Sequence, residues 1–255
     1  MSVNTNQQIF GLAMLAAVIP LTYIFMNRAK KGKVPKIERL PALDGIDRVI
    51  DECAKVGKPI YVEMSSGSSL TGEYYHMLAA ALSMLPTIAR RCARLGVRLL
   101  TIYHAPQAQP MIRGILTQAA KAEGKDESYF PDRDIIYQSG GDMIGAFFGM
   151  AEVETNDCRG SICLGRVALQ ALSQIEANKQ RGCISIQGTS FMNQIHVVGL
   201  LPEYTLIGEE LYAASASISG DTDTLSTLQI NDLIKMLTLA LVPIFIVAIK
   251  LGIKL

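Results

Sequence analysis

Three loops of small and polar residues could bind a ligand, because each directly follows a segment with the pattern of a buried strand. The loops are residues 65–69, 139–142 and 188–190. In an open parallel sheet the C-terminal ends of the strands form one edge, where ligands usually bind. Exposed amides of helix N-termini at that edge can bind phosphate or carboxylate. The candidate ligand-binding residues in these loops are Ser66, Gly67, Ser139, Gly140, Gly188 and Thr189.

The same residue types have a second explanation, because Gly, Ser, Thr and Asp are also favoured in turns and as helix N-caps. No loop matches the phosphate-binding pattern GxxxxGK[ST] or the dinucleotide-binding pattern GxGxxG. The loops therefore indicate only a class of ligand, a small anionic metabolite or a nucleotide. They identify no cofactor, and helix capping stays open as the alternative.

His104 is the histidine best placed for proton transfer, because it lies at the end of a predicted strand. It joins the candidate ligand-binding residues. No carboxylate or nucleophile beside it in the sequence completes a catalytic set, so a structural role is the alternative. The other two histidines, His76 and His196, lie within apolar stretches.

Two adjacent carboxylates, Glu209 and Glu210, precede Tyr212 and a run of Ala and Ser. Carboxylates in this setting act as metal ligands or general bases, or they stabilise a helix N-terminus through its dipole. Small residues at helical spacing allow close helix packing. The segment therefore predicts an interface or a buried acid at these three residues.

The composition excludes several classes of site. The five cysteines form no CxxC pair and only three histidines accompany them, so we expect reduced, buried thiols rather than disulfides or a metal site. The net charge is +1, aromatic residues make up 6% of the chain and Trp is absent. This composition predicts no nucleic-acid partner.

Strands alternate with helices between residues 41 and 230, which predicts an α/β domain with a mostly parallel sheet flanked by helices. The predicted strands are 59–66, 97–104, 134–139 and 183–190. The predicted helices are 41–57, a stretch ending at 95, 110–124, 141–154 and 166–181. Residues 158–165 fit neither class clearly.

An apolar segment at each end of the chain predicts a transmembrane helix. Residues 9–26 carry no charge over about 18 residues, which spans about 27 Å as a helix. Residues 235–253 are long enough when Lys250 extends toward the headgroups. A buried core helix is the alternative for the second segment.

The order of charges sets the predicted orientation. No Lys or Arg precedes the first segment, whereas Arg28, Lys30, Lys31, Lys33 and Lys36 follow it directly, in the connector 27–40. By the positive-inside rule this places domain 41–230 in the cytoplasm and both termini outside, in a two-pass protein of the cell membrane.

Several segments together resemble a known family. They are PALDGIDRVIDECAKVGKPIYV, LSMLPTIARRCARLGVRLL, IQGTS and, most specifically, YTLIGEELYAAS. The chain resembles a prokaryotic family of membrane-anchored proteins, found in archaea and bacteria, that is described only as a domain of unknown function. The resemblance implies an α/β domain associated with membrane helices, and it implies no catalytic residues.

Two functions are consistent with these observations. The first is a membrane-anchored, oligomeric scaffold or accessory subunit of a membrane assembly. Its predicted partners are membrane lipid and either further copies of the chain or other membrane subunits. The alternative is a ligand-binding or catalytic α/β domain that acts on a small anionic metabolite or nucleotide. The sequence assigns no enzymatic reaction.

Overall fold

The computed structural model describes residues 40–64, 70–139, 142–166 and 170–250, together with positions 16, 19, 20, 23, 24 and 27. The chain divides into two compact units. One comprises Glu38–Ser219, and the other combines Met1–Ile37 with Gly220–Leu255.

The Glu38–Ser219 unit contains a six-stranded sheet in which every pair of neighbouring strands is parallel. This confirms the predicted α/β class with a parallel sheet flanked by helices. The strands are β1 (Ile60–Met64), β2 (Leu99–Tyr103), β3 (Ile135–Tyr137), β4 (Gly160–Leu164), β5 (Ile184–Thr189) and β6 (Tyr204–Ile207).

In the described residues of this unit, seven α-helices lie between or beside the strands. They are α1 (Pro41–Val56), α2 (Tyr75–Leu95), α3 (Gln109–Ala122), α4 (Asp142–Thr155), α5 (Gln170–Gln180), α6 (Ile195–Val198) and α7 (Glu209–Ser219). The helix predicted to stop at Gly57 does so, because Gly57 adopts the left-handed conformation (φ 65°) that ends many helices. Pro86 lies inside α2 without ending it.

The strand order is β3-β2-β1-β4-β5-β6. The chain builds outward from β1 in one direction and then, after β3, from β4 in the other. The connections therefore diverge between β1 and β4, which is the topological switch point of a doubly wound sheet. Ligands of such sheets bind in the crevice at this point, beyond the C-terminal ends of the strands.

The two faces of the sheet differ in chemistry. One face presents Ile60, Val62 and Met64 of β1 to an apolar core that includes α1, α2, α3 and α7. On the opposite face Tyr61 packs with residues of α4, α5 and α6, and Glu63 follows it on the same side of β1 because strand side chains alternate. The first face is a conventional apolar core, whereas the second carries buried polar groups.

The stretch 158–165, which the sequence left open, contains β4, the neighbour of β1. Its first residue is Gly160, where an added Cβ would lie 2.4 Å from Val49 Cγ1 and 2.9 Å from Cys53 Sγ. Helix α1 therefore packs directly against the backbone of β4, which requires glycine at this position. The strand is hard to recognise in the sequence, because close packing requires Gly160 at a place where strands usually have a β-branched residue.

The second unit contains helix α8 (Thr222–Lys250), which includes most of the predicted C-terminal span; positions 251–253 of that span lie outside the described residues. The predicted span 9–26 is described at five positions, all helical, and otherwise lies outside them, as does most of the connector 27–40. Within the part of the chain that the structure describes, no helix is long and apolar enough to cross a membrane.

All five cysteines are buried free thiols, as the sequence predicts. Burial raises the pKa of Cys53 and of Cys158 to about 12, so both stay protonated at neutral pH. These thiols serve packing rather than nucleophilic chemistry.

Candidate functional site

A buried carboxylate and a histidine meet near the C-terminal edge of the sheet. Glu63 is the fourth residue of β1, and His104 directly follows β2. His104 Nε2 lies 2.9 Å from Glu63 Oε1, and each side chain is only 5% exposed. The sequence predicted His104 as a site residue but found no carboxylate partner. That partner is Glu63, 41 positions earlier in the chain, which the parallel pairing of β1 with β2 brings next to His104.

The second oxygen of Glu63 accepts hydrogen bonds from two further buried groups. The Tyr61 hydroxyl donates to Glu63 Oε2 at 2.8 Å, and Gln174 Nε2 of α5 donates to the same atom at 3.0 Å. The Cys163 thiol of β4 lies 3.9 Å away from it. The groups around this one carboxylate thus come from β1, from the end of β2, from β4 and from α5.

These partners determine the charge of Glu63. Burial acts to raise the pKa of this carboxyl, but the hydrogen bond and charge of His104 and the bonds from Gln174 and Tyr61 outweigh it and hold the pKa below its usual value. Burial raises the pKa of Tyr61 and of Cys163 well above their usual ranges. At neutral pH the carboxylate is therefore ionised and the phenol and thiol are neutral.

A glycine on α4 makes room for this arrangement. An added Cβ at Gly149 would lie 2.7 Å from the Tyr61 hydroxyl and 2.8 Å from Gln174 Nε2. Both distances are too short for a real Cβ contact. Helix α4 therefore approaches the network closely enough to fix the positions of its donors.

The network belongs to a buried polar layer on this face of the sheet. Glu63 is paired in register with Cys163, which is paired with Gln187, and Tyr61 is likewise paired with Ser161 and then Ser185. Helix α5 adds two amides. The buried polar layer consists of Tyr61, Glu63, Ser161, Cys163, Ser185, Gln187, Gln174 and Asn178.

Several amide atoms of this layer have no hydrogen-bond partner within the described residues. They are both polar side-chain atoms of Gln187 and of Asn178, and Oε1 of Gln174. An unsatisfied buried polar group costs about 1–3 kcal/mol. The layer is therefore suited to bind water or a polar ligand.

A cation lies between aromatic rings at the same edge of the sheet. Arg166 follows β4 by two residues, and its guanidinium carbon is 5.3 Å from the centre of the Tyr74 ring and 4.9 Å from that of Phe191. The two rings contact each other edge to face at 5.5 Å. We call Tyr74, Arg166 and Phe191 the Arg166 stack. It places a positive charge and aromatic surface beyond the C-terminal ends of β4 and β5.

The predicted loop residues have different positions. Ser66, Gly67 and Gly140 lie outside the described residues. Ser139 is exposed, and its carbonyl accepts a hydrogen bond from Gln138 Nε2 at 3.0 Å. Gly188 is packed among Leu164, Leu206 and Leu211, where an added Cβ would approach all three side chains.

Thr189 and the residues of α7 form local structure at the same edge. Thr189 Oγ1 accepts the amide of Phe191 at 3.0 Å, which stabilises the turn that carries the Arg166 stack. Glu210 Oε2 accepts the amide of Ile207 at 3.0 Å, as an acid at a helix N-terminus does. Tyr212 is half-buried and its hydroxyl is 2.6 Å from Ser190 Oγ. Glu209 opens α7 and is partly buried.

The small residues of α7 pack within the same unit. Ala214, Ser215 and Ala216 are buried, and Ser215 Oγ lies 2.6 Å from Ser83 Oγ of α2. The Ala and Ser run thus allows α7 to approach α2 closely.

A cleft elsewhere on the domain is less suitable as a site. A cavity of about 540 Å³ lies near the start of β3, between α3 and the loop that precedes the strand. Its charged side chains Arg113 and Asp132 form an ion pair at 2.7 Å and both are more than half exposed. We favour the C-terminal edge, because the buried Glu63–His104 pair lies there and the strand connections diverge there.

The site has the chemistry of proton transfer and polar binding. Within the described ranges, no group of three or more His, Cys, Asp and Glu residues could hold a metal ion. Sequence reasoning missed Glu63, Gln174 and Arg166. For Glu63 a signal was present, because a charged residue inside a strand that is buried on both faces requires a partner.

Comparison with known proteins identifies the family. A family profile described as "Domain of unknown function (DUF6754)" matches residues 2–255. The chain belongs to this family. The match confirms the predicted membership of an uncharacterised family and covers both end segments as well as the α/β domain. Searches among curated proteins and among solved structures found no match to the chain.

Proposed function

We propose that this DUF6754 protein binds a small anionic metabolite or nucleotide at the C-terminal edge of its sheet, and that a helix at each end anchors it in the cell membrane. The observation that carries the binding proposal is the divergence of the strand connections between β1 and β4. In doubly wound sheets this divergence opens a crevice into which the strand ends direct their loops.

Two further features support an anionic ligand. The Arg166 stack supplies a guanidinium group, which suits phosphate and carboxylate, beside aromatic rings that suit a planar base. The sequence between β1 and α2 is rich in Ser and Gly at positions 65–69, and small residues favour close approach of a ligand. The Glu63–His104 pair lies below this edge and can exchange hydrogen bonds with a polar group.

A thermal-shift screen of the full chain in mild detergent tests the binding proposal. The probes are ATP, ADP, AMP, inorganic phosphate and glucose 6-phosphate. We expect at least one to raise the melting temperature in a concentration-dependent manner, because a ligand that binds only the folded state stabilises it. Arg166→Ala should abolish the shift. The matched control Arg181→Ala, which removes an arginine paired with Glu154 at the other end of the strands, should retain it. No shift with any probe would refute the proposal.

Membrane anchoring is supported by exposed apolar side chains in the second unit. Tyr23 is 71% exposed, Met236 is 69% exposed and Leu239 is 72% exposed. Large apolar groups that are exposed at this level within two apolar segments indicate contact with lipid or with other membrane helices. The same observation favours the second candidate function, an oligomeric scaffold or accessory subunit of a membrane assembly.

Labelling of introduced cysteines tests the proposed orientation. The native thiols are buried, so a membrane-impermeant maleimide should report mainly on new ones. In intact cells we expect Ser2→Cys to react and Ser128→Cys, at an exposed position of the α/β domain, to react only after lysis. The reverse pattern would contradict a cytoplasmic domain.

A native mass measurement in mild detergent tests the scaffold function. A single copy of the chain without partners would contradict it.

A further inference from the structure

The hydrogen bonds of Glu63 fix which nitrogen of His104 carries the proton. Glu63 Oε2 already accepts hydrogen bonds from the Tyr61 hydroxyl and from Gln174 Nε2. Glu63 Oε1 faces His104 Nε2 at 2.9 Å. An ionised carboxylate can only accept hydrogen bonds, so Nε2 must donate. The neutral imidazole is then protonated at Nε2, and Nδ1 holds the lone pair.

We propose that His104 Nδ1 is a general base for a ligand bound at the C-terminal edge, and that Glu63 is its positioning residue. This inference rests on the proposed ligand site and adds proton-transfer chemistry to it. The pair would act as other carboxylate–histidine pairs do. The carboxylate selects the tautomer of the ring and stabilises the positive charge that forms on it.

The proton transfer itself is balanced without another reactant. An O–H bond of the bound ligand, or of a water molecule beside it, breaks and its proton binds the lone pair on Nδ1. The electron pair stays on the oxygen, which becomes the nucleophile. The imidazolium that forms is stabilised by the Glu63 carboxylate, and the reverse transfer restores neutral His104.

Besides His104, the titratable groups that contact Glu63 are neutral at neutral pH. The titratable groups that contact Glu63 are His104 itself, Tyr61 of the same strand and Cys163 of β4. Burial keeps the Tyr61 phenol and the Cys163 thiol protonated. In the described part of the chain, helix α5 contributes the neutral amide of Gln174 at this point. The Glu63 oxygens already accept hydrogen bonds from His104, Tyr61 and Gln174.

The fixed geometry makes the base ready before a ligand binds. Tyr61 and Gln174 hold the Glu63 carboxylate from β1 and α5, and helix α4 approaches these two donors closely at Gly149. The carboxylate in turn holds the His104 ring. Such preorganisation reduces the reorganisation needed during reaction. A histidine that only filled space in the core would not require a saturated carboxylate.

Nitrogen NMR of the full chain in mild detergent tests the assignment without any ligand. The chain has only three histidines, so ¹⁵N-histidine labelling gives few signals, and His104→Asn identifies the one of interest. We expect the neutral form of His104 to be the Nε2–H tautomer, with Nδ1 as the atom that gains the proton as pH falls. A neutral Nδ1–H tautomer in the wild type would overturn the proposal.

Two variants separate positioning from folding. Glu63→Gln should lose the single tautomer and give a mixture of both, because an amide can donate or accept. Glu203→Gln removes a carboxylate that binds Ser185 elsewhere on the sheet and should leave the His104 signal unchanged. An unchanged tautomer in Glu63→Gln would overturn the positioning role.

Addition of ADP to the labelled chain distinguishes this inference from the ligand proposal. A shift of the His104 Nδ1 signal on addition of ADP, absent in Arg166→Ala, supports both. The Nε2–H tautomer without any ligand-induced stabilisation in the thermal screen refutes the ligand site and, with it, the base function. Binding of ADP that leaves the Nδ1 signal unmoved refutes the base function and leaves the ligand site intact.

Discussion

Glu63 is a charged residue in a strand of which every residue is buried. A buried carboxylate is costly unless hydrogen bonds compensate for lost hydration. Here Tyr61, His104 and Gln174 provide that compensation. Removal of one donor therefore costs more than the loss of its own hydrogen bond, because the Glu63 charge stays buried with fewer partners.

Gly149 is the residue at which this dependence can be tested by adding one methyl group. Gly149→Ala places a Cβ 2.7 Å from the fully buried Tyr61 hydroxyl, so either α4 or the network must shift. We expect the free energy of unfolding to fall by about 1–3 kcal/mol. Chemical denaturation in mild detergent measures the change.

Gly114→Ala is the matched control, because it lies inside the 14-residue α3 and an added Cβ there meets nothing within 4 Å. We expect it to stabilise the protein by about 0.5–1 kcal/mol through helix propensity. Equal effects of the two substitutions would show that α4 does not press on the Tyr61–Glu63 contact.

Helices α2 and α3 are joined at their C-terminal ends by one carboxylate. Glu123, which follows α3, accepts hydrogen bonds from Arg94 Nε at 2.9 Å and from Arg90 Nε at 3.1 Å. The hydrogen bond from Arg94, together with that from Arg90 and the two positive charges, lowers the pKa of Glu123 to about 2 despite partial desolvation. The pair of helices is thus stabilised by an ionised acid.

The sign of the pH dependence follows from this lowered pKa. A carboxyl group whose pKa is lower in the folded state stabilises the fold above its ordinary pKa of 4.5 and loses that contribution as pH falls toward about 2. We expect Glu123→Gln to be less stable than the wild type at pH 7 and the difference to disappear near pH 2. Denaturation at both pH values measures it. Glu127→Gln, at an exposed ion pair with Lys121, should show a smaller difference at pH 7.

The same contacts explain why the basic run near residue 90 is not a free cationic surface. Arg91 binds Asp51 at 2.8 Å, and Arg98 binds the buried Asp134 at 2.7 Å. Sequence alone shows the arginines but not their partners, because Asp51 is 40 positions and Asp134 36 positions away. These arginines connect neighbouring elements of the fold.

Helices and strands were predicted correctly where the hydrophobic pattern of the sequence is strong. They were missed where close packing favours residues that do not follow this pattern. Strands β1, β2, β3 and β5 lie within their predicted ranges, and each of the larger helices α1, α3 and α4 was predicted within two residues. Strand β4 was left open because it begins at Gly160 and has Ile162 as its one β-branched residue. No strand was predicted at β6. Short strands buried on both faces carry no alternation that could reveal them.

The candidate site was only partly predictable for a related reason. His104 and the edge of the sheet follow from local pattern, since a strand end can be read from the sequence. The partners of His104 come from elements whose register depends on the whole sheet. No local pattern joins residues 63, 104 and 174. The buried polar layer could therefore be recognised only from the three-dimensional structure.

At the scale of the molecule, two end segments would tether one domain to the membrane. The proposal predicts that a single cut does not release the domain. A protease site inserted in the connector 27–40 leaves α8 attached, and one inserted at Gly220–Asp221, in the exposed turn before α8, leaves the N-terminal segment attached.

Membrane fractionation after proteolysis measures release of the domain. We expect each single-site variant to remain in the membrane fraction and only the double-site variant to release the α/β domain. An unmodified chain treated with the same protease is the control. Release after one cut would show that only one end is anchored.

The unequal faces of the sheet have a consequence for how the domain opens. The face toward α1, α2 and α3 excludes water, so its separation exposes a large apolar core. The face toward α4 and α5 covers amides of Gln174, Asn178 and Gln187 that gain hydrogen bonds when water enters. Partial opening should therefore begin at α4 and α5. In native-state hydrogen exchange we expect the amides of these two helices to exchange through a subglobal opening, while those of α2 exchange only with global unfolding.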